Sequence, residues 1–186
     1  MAHRTISEDD LLDTALLLFR THGAEGVSLS KLSEATGLEK ASLYYRFPGG
    51  KEEMILAVLT GVSQWLETSL FPALRQEGPP RKRAAKAAEL LRAFYEDGKL
   101  SCAVDVLSLP GGSPRRHEAL KAALEAWIAA FAAFARESGM TPAAARNVAE
   151  DALVRIEGSL VLSRALSDPA PFQRTLKLLP DLLTTR

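Results

Sequence analysis

The twelve residues from Lys40 to Lys51 combine side chains that suit contact with nucleic acid. They include three cations, Lys40, Arg46 and Lys51, no acidic residue, and two of the chain's three tyrosines, Tyr44 and Tyr45. Lysine and arginine neutralise phosphates, and tyrosine hydroxyls bond to phosphate oxygens while their rings pack on sugars or thymine methyls. The segment therefore predicts a DNA-binding surface.

Two short predicted helices would position these side chains. Ser28 is typical of an N-cap, Leu32 and Ala35 would face inward, and Gly37 ends the first helix. The second helix spans about residues 40–46. Two short helices joined by a glycine-containing turn indicate a helix–turn–helix, whose second helix enters the major groove. The pattern alone leaves an alternative open, in which the turn is an ordinary loop and the tyrosines are aromatics at the edge of a core.

The same region resembles the DNA-binding domain of the TetR family over about residues 6–59. The likeness rests on LLDTALLLF at 11–19, Gly23, VSLSKLS at 27–33, Gly37-Leu38, and ASLYYRFPGGKEE at 41–53. Arg46 departs from the family, which often has histidine there, and adds a cation. Residues 100–112, which include SCAV at 101–104 and Gly111-Gly112, resemble the subgroup with an LmrA/YxaF-like C-terminal domain.

The resemblance implies a role for each matching residue. Contacts to phosphates are expected from Ser28, Ser30, Tyr45 and Lys51, with Arg46 as an added cation near the DNA backbone. Contacts to base edges are expected from Glu39, Lys40, Ala41, Ser42 and Tyr44. A lysine can donate to guanine, and alanine or tyrosine can contact thymine methyls.

The rest of the chain is predicted to be all-α, with about nine helices in total. Alanine and leucine make up about a third of the residues, and both favour helices. Ser113-Pro114, Thr141-Pro142 and Asp168-Pro169 are typical helix starts. We expect a helix–turn–helix domain at 1–50 and an effector-binding and dimerisation domain at 51–186. Pro72 should kink or end the fourth helix.

An apolar effector pocket is the implied role of the middle helices. Its candidate lining residues are Trp65, Phe94, Tyr95, Cys102, Val106, Trp127 and Phe131. A mostly apolar pocket with a few polar groups would suit a small hydrophobic or aromatic effector. The alternative is that these residues are ordinary core, which is also the common position of a free cysteine.

A homodimer is expected, because helix–turn–helix proteins usually bind two half-sites of a pseudo-palindromic operator. The resemblance implies that the last two helices form its interface. Small residues at Ala145, Ala149, Ala152 and Gly158-Ser159 would allow a partner helix to approach closely. The alternative is that this stripe packs inside one subunit.

Two basic runs, at residues 81–86 and at 115–117, are expected to be solvated surface. The sequence has no zinc-binding, di-iron or nucleotide-loop motif, so we expect no metal, no cofactor and no enzyme activity. The rival functions are a ligand-binding helical protein that acts through protein partners and a helical-bundle enzyme.

The overall charge is a weak guide to partners in this chain. The 23 Lys and Arg balance 23 Asp and Glu, which argues weakly against nucleic acid until the local cluster is considered. One cysteine cannot form an internal disulfide, no run approaches the roughly 18 apolar residues of a membrane span, and the N-terminus does not resemble a signal peptide. These features predict a cytoplasmic protein that does not bind membranes, and the family resemblance implies that it is a repressor.

Overall fold

The computed structural model describes residues 6–108 and 112–184, most of which are helical and none of which lies in a strand. Counting Gly50–Arg75 as one helix, this part of the chain contains nine α-helices, as predicted. They are α1 (Glu8–Gly26), α2 (Leu29–Thr36), α3 (Lys40–Arg46), α4 (Gly50–Arg75), α5 (Pro80–Phe94), α6 (Ala103–Leu107), α7 (Pro114–Glu137), α8 (Pro142–Leu166) and α9 (Ala170–Leu183).

Hydrogen bonds to N-cap side chains are present at four helix starts, which include those predicted at Ser28, Ser113 and Thr141. Ser7 Oγ accepts from Asp10 N at 3.1 Å, and Ser28 Oγ accepts from Lys31 N at 3.2 Å. Later in the chain, Ser113 Oγ accepts from Arg116 N and Thr141 Oγ1 from Ala144 N. These side chains satisfy backbone N–H groups that the first turn leaves unpaired.

Pro72 was predicted to kink or end α4, and the second of these outcomes does not occur. The helix does not stop at Pro72 but continues to Arg75, and it widens into a π-helical turn at Leu66–Leu70. Proline has no N–H and its ring crowds the carbonyl four residues earlier, so a wider turn directly before it accommodates the ring. Helix α5 ends at Phe94, shortly before Glu96 and Asp97, which take positive φ values of 46° and 59°.

One described helix, Gly50–Arg75, is long and apolar enough by composition to cross a membrane, with a mean hydropathy of 1.3 over its most apolar window. The sequence prediction missed this window. The helix is nevertheless amphipathic. Ile55, Val58 and Leu59 are buried, whereas Thr60 and Gln64 on other faces are exposed. A core helix shows this pattern.

Contacts divide the chain into two compact units. The first unit comprises residues up to 62 together with residues 103–121, and the second comprises residues 63–102 and those from 122 onward. In the first unit, α1 packs against α2 and α6, and α2 packs against α3. Its core contains fully buried Leu11, Phe19, Leu32 and Leu43.

In the second unit, α9 packs against α5 and α8. Phe131 and Phe172 are fully buried here, and Tyr95 lies edge-on to Phe172 with ring centroids 5.7 Å apart. A side chain at Gly98 would clash, since an added Cβ would lie 2.8 Å from Phe172 Cβ. The aromatic interior of this unit is closely packed.

Candidate nucleic-acid interface

The turn between α2 and α3 is short and internally bonded. Gly37 takes φ 72°, a left-handed conformation that favours glycine, and its N–H donates to Ser33 O. Leu38 is buried below the turn, and its carbonyl accepts from Ser33 Oγ at 2.5 Å. Thr36 Oγ1 accepts from Leu38 N at 3.3 Å. The hydrogen bonds and the buried leucine fix the angle between the two helices, as a helix–turn–helix requires.

Helix α3 separates a buried face from an exposed one. Leu43 is fully buried, and Phe47, which follows the helix, is 5% exposed. Tyr44 and Tyr45 are 54% and 88% exposed, and the other predicted contacts that are exposed are Ser28, Ser30, Glu39, Lys40 and Ala41, with Ser42 half-buried. Helix α3 therefore presents a polar and aromatic face to solvent at the positions where DNA contacts were predicted.

Arg46 and Lys51 are half-buried and make long-range bonds to backbone carbonyls. Arg46 Nη2 donates to Ile6 O at 3.1 Å, directly before α1 begins. Lys51 Nζ donates to Ala24 O at 3.0 Å and lies 3.6 Å from Glu25 Oε2. These cations thus connect α3 and the start of α4 to α1, in addition to the phosphate contacts predicted for them.

Ser28 and Ser30 lie at the start of α2, where a phosphate contact was predicted. The Oγ of Ser28 already accepts from Lys31 N as the N-cap. Its hydroxyl proton can still be donated to a phosphate oxygen, so capping and DNA contact are compatible. Ser30 is exposed in the first turn of the same helix.

The predicted effector residues are mostly buried, and six of the seven lie in the second unit. Trp65 stacks on Phe94 with ring centroids 3.9 Å apart, and Trp127 lies edge-on to Phe131 at 6.0 Å. Tyr95 donates from its hydroxyl to Cys102 Sγ at 3.4 Å. The seventh residue, Val106, belongs to the first unit, where it is buried in α6.

Trp127 has a buried hydrogen-bond donor that lacks a partner among the described residues. The donor is its Nε1–H, and the side chain is 2% exposed. Buried donors without partners are rare, because the lost hydration is not replaced.

Cavities in the second unit have other linings. One of about 340 Å³ lies between α5 and α9 and is lined by Glu89, Arg92 and Lys177 among others. Another, of about 260 Å³, lies between α8 and α9 and includes Ala152, Leu178 and Leu182. The predicted effector residues line neither cavity, so their role as a pocket stays a prediction.

The small residues of α8 do not face outward as the dimer prediction required. Ala145, Ala149 and Ala152 are fully buried within the single chain, and Ser159 is 6% exposed. The alternative that the stripe packs inside one subunit is therefore correct for these residues. An opposite face of α8 is exposed and apolar, with Val154 69% and Val161 45% exposed on either side of Gly158.

Two arginines in the basic runs are not solvated, contrary to the prediction. Arg83 is 8% exposed, stacks 4.9 Å from the Phe134 ring centre and donates to Glu137 Oε1 at 2.7 Å. Arg116 is 4% exposed and donates to Glu52. Sequence reasoning missed both because their partners lie 54 and 64 residues away in the chain.

The two arginines also shift the acidity of their partners. The guanidinium of Arg116 holds the pKa of Glu52 below its usual value, and hydrogen bonds from Ser113 add to the effect against the opposing influence of burial. The hydrogen bond from Arg83 lowers the pKa of Glu137 in the same way. In the described part of the chain, no group of three or more His, Cys, Asp or Glu could hold a metal ion.

A chain built this way belongs to the class of all-helical DNA-binding proteins with an N-terminal helix–turn–helix. Residues 11–58 match the model of bacterial regulatory proteins of the tetR family, and residues 96–177 match that of the C-terminal domain of LmrA/YxaF-like transcriptional regulators. The chain belongs to the TetR family and to its LmrA/YxaF-like subgroup.

Whole-length relatives agree with these matches. The HTH-type transcriptional regulator LmrA of Bacillus subtilis is 26% identical over 188 residues, which cover 95% of this chain and 96% of the relative. The HTH-type regulator YxaF of the same organism is 24% identical, with 98% of each chain covered.

Solved structures show the same fold. A TetR regulator from Legionella pneumophila superposes with a TM-score of 0.84 at 17% identity, over 96% of this chain and 98% of the other. A regulatory protein TetR from Rhodobacter sphaeroides gives 0.82 at 18% identity, over 96% and 99%. The predicted fold class, family and role as a DNA-binding transcriptional regulator are confirmed. DNA and a second copy of the chain are its partners.

Proposed function

We propose that this protein is a cytoplasmic repressor that binds a pseudo-palindromic operator as a homodimer. It dissociates from the operator when a small apolar or aromatic effector binds. The observation that carries the proposal is the exposed face of α3. Tyr44 and Tyr45 project into solvent from a helix whose other face is fully buried. Lys40 lies at the start of that helix and can donate to a guanine edge.

DNA contacts divide into two groups in this proposal. Glu39, Lys40, Ala41, Ser42 and Tyr44 face base edges and select the sequence. Ser28, Ser30, Tyr45, Arg46 and Lys51 contact phosphates and set the register. The DNA-binding domain ends near residue 50, and the effector-binding and dimerisation domain follows from residue 51.

We infer that dimerisation uses the exposed apolar face of α8 together with α9. Val154, Val161 and Leu162 are at least 45% exposed on α8, and Leu178 is 56% exposed on α9. An added side chain at Gly158 would meet no other atom within 4 Å, so a partner helix can approach there. Exposed apolar residues on adjoining helices favour burial against a second copy.

The effector would enter among the aromatic residues Trp65, Phe94, Tyr95, Trp127 and Phe131, with Cys102 and Val106. The unpartnered Nε1–H of Trp127 supports an effector with a hydrogen-bond acceptor as well as apolar surface, because such a ligand would satisfy the buried donor. Release requires the effector to prefer the DNA-free conformation. A 100-fold loss of operator affinity needs about 2.7 kcal/mol of such preference. Helix α4 could carry the change, since it begins beside Lys51 and continues past Trp65.

A gel shift with DNA from upstream of the protein's own gene tests the repressor proposal. We expect a specific shift whose logarithmic affinity falls with logarithmic salt at a slope on the order of −6, for six to eight neutralised phosphates per dimer. No specific shift at low salt would contradict it.

Val161→Asp tests the dimer surface, with Leu17→Asp as the matched control. Leu17 is 49% exposed on α1, outside the proposed interface. We expect Val161→Asp to be monomeric in light scattering and to lose operator affinity by about 100-fold or more, because two linked sites bind far better than one. Leu17→Asp should stay dimeric. A dimeric Val161→Asp variant would place the interface elsewhere.

A further inference from the structure

Within the first unit, the carboxylate of Glu52 is the meeting point of four hydrogen bonds from the start of α7. Ser113 donates from Oγ at 2.6 Å and from its backbone N at 3.3 Å. Arg116 donates from Nε at 3.2 Å and from Nη2 at 2.6 Å. We call these three residues the Glu52 cluster. The paired contact from the guanidinium fixes the orientation of the carboxylate as well as its position.

The Glu52 cluster is built into the fold, since Arg116 is 4% exposed and a side chain at Gly112 would place its Cβ only 2.7 Å from Arg116 Nε. Removing a guanidinium from water costs free energy that a buried ion pair only partly returns. An apolar contact could have joined α4 and α7 without that cost. The cluster is therefore better suited to fixing one geometry than to stabilising the fold.

The neighbour of Glu52 is Lys51, a predicted phosphate contact. Consecutive residues on a helix point about 100° apart, so Glu52 faces the start of α7 while Lys51 points to a different side. Lys51 Nζ there donates to Ala24 O at 3.0 Å, near the end of α1. The position and rotation of the first turn of α4 influence where this ammonium lies, and four hydrogen bonds join that turn to the start of α7 through Glu52.

We propose that Arg116 and Ser113 are positioning residues for DNA binding, which hold Glu52 and so place Lys51 against a DNA phosphate. The inference rests on the phosphate contact of Lys51 in the proposed function. It assigns a role in DNA affinity to Arg116 in α7 and to Ser113, the N-cap of that helix. Both residues lie more than 60 positions from α3 in the chain.

A double-mutant cycle between Lys51 and Arg116 tests the proposal. The dissociation constant of the full-length dimer for a duplex of about 30 base pairs from upstream of its gene is measured by fluorescence anisotropy between about 50 and 200 mM salt. The variants are Lys51→Met, Arg116→Met and both together. Arg115→Met is the matched control, because it removes the same charge from an exposed neighbour on α7.

We expect Lys51→Met to weaken binding by about tenfold and to reduce the salt slope by about 1.8, since one lost phosphate contact per subunit removes about 0.9. Arg116→Met should produce the same reduction although it touches no DNA, and the double variant should lose little more. Arg115→Met should keep the wild-type slope. A general loss of folded protein lowers the active concentration but leaves the salt slope unchanged, so the slope separates positioning from stability.

Ser113→Ala keeps the proposal testable if Arg116→Met does not fold. It removes the 2.6 Å bond to Glu52 and leaves the guanidinium in place, so the slope should fall in the same direction by a smaller amount. A folded Arg116→Met dimer with the wild-type salt slope would overturn the inference. So would a double variant whose loss of binding free energy equals the sum of the losses in Lys51→Met and Arg116→Met.

The outcomes also separate this inference from the proposed function. If wild-type protein fails to bind the duplex specifically, the repressor proposal fails and this inference fails with it. If Lys51→Met changes the slope as expected and Arg116→Met does not, only the positioning role is wrong.

Discussion

The helix–turn–helix and the aromatic interior of the second unit use similar side chains in opposite environments. Tyr45 on α3 is 88% exposed, whereas Tyr95, after α5, is 2% exposed and donates to Cys102 Sγ. In the first region the polar and aromatic side chains point outward from a small core. In the second, they pack ring against ring. A DNA-contacting surface can exist fully formed before its ligand arrives, whereas an effector site of packed rings has to open or rearrange to admit one.

Truncating one aromatic residue in each region tests whether the two environments differ as described. Phe131 is fully buried, so Phe131→Ala should lower the free energy of unfolding by about 3–5 kcal/mol. Tyr45→Ala should change it by no more than about 0.5 kcal/mol, because the ring is already in solvent. Urea denaturation measures both. Equal losses would mean that the two rings occupy similar environments.

Tyr44→Ala tests whether the exposed surface reads sequence. Its side chain is 54% exposed and lies about 100° around α3 from the buried Leu43. Removing a base contact costs about 1–3 kcal/mol of discrimination, so operator affinity should fall by about 5- to 150-fold while affinity for unrelated DNA changes little. Competition binding with operator and random duplexes gives the ratio. An unchanged ratio would assign Tyr44 to the phosphates or to no contact.

The two arginine–glutamate pairs extend the comparison to acid sensitivity. The lowered pKa of Glu52, held by Arg116 and Ser113, means that folding stability from this group is present above its ordinary pKa and is lost as the pH falls through the lowered value. Glu137, whose pKa is lowered by Arg83, behaves alike but is 58% exposed. Urea denaturation from pH 7 to about pH 3 should therefore show a larger change in pH dependence for Glu52→Gln than for Glu137→Gln. The reverse order would mean that the pair in the second unit is the stronger one.

The smallest expected effect is at Glu25, whose carboxylate lies 3.6 Å from Lys51 Nζ and is 80% exposed. A phosphate would compete with this carboxylate for the ammonium. Glu25→Gln should tighten DNA binding by about two- to threefold, since an exposed ion pair is worth less than about 1 kcal/mol. Anisotropy titration at low salt can detect this change, and weaker binding would show that Glu25 supports the lysine rather than competing with it.

The first region was predictable because its signals are local. Ser28, Gly37 and the tyrosines lie within eighteen residues, and capping and turn chemistry follow from short-range rules. Exposure followed less closely, since Leu32 is buried as predicted but Ala35, also predicted to face inward, is exposed. The fold class and helix number followed from composition and from Ser-Pro or Thr-Pro starts in the same way. The π-helical turn was missed because a proline indicates that a helix is disturbed but does not indicate which backbone geometry results.

The second region was less predictable because the burial of its side chains depends on residues far away in the sequence. Helical spacing shows that Ala145, Ala149 and Ala152 share a face, but only the packed structure shows that this face is inward. Arg83 and Arg116 were assigned to solvent from their charged neighbours, whereas residues more than 50 positions away bury them. The aromatic residues of a pocket and of a core have the same pattern in sequence, so periodicity could not separate them.

A footprint of the wild-type protein on the DNA upstream of its gene, with Tyr44→Ala beside it, tests the central claim most directly. If α3 reads the operator as part of a dimer, the wild type should protect two symmetric half-sites whose centres lie about 10 base pairs apart or a multiple of that spacing. Tyr44→Ala should lose both half-sites together. Protection of a single asymmetric site, or identical footprints from the two proteins, would contradict the account.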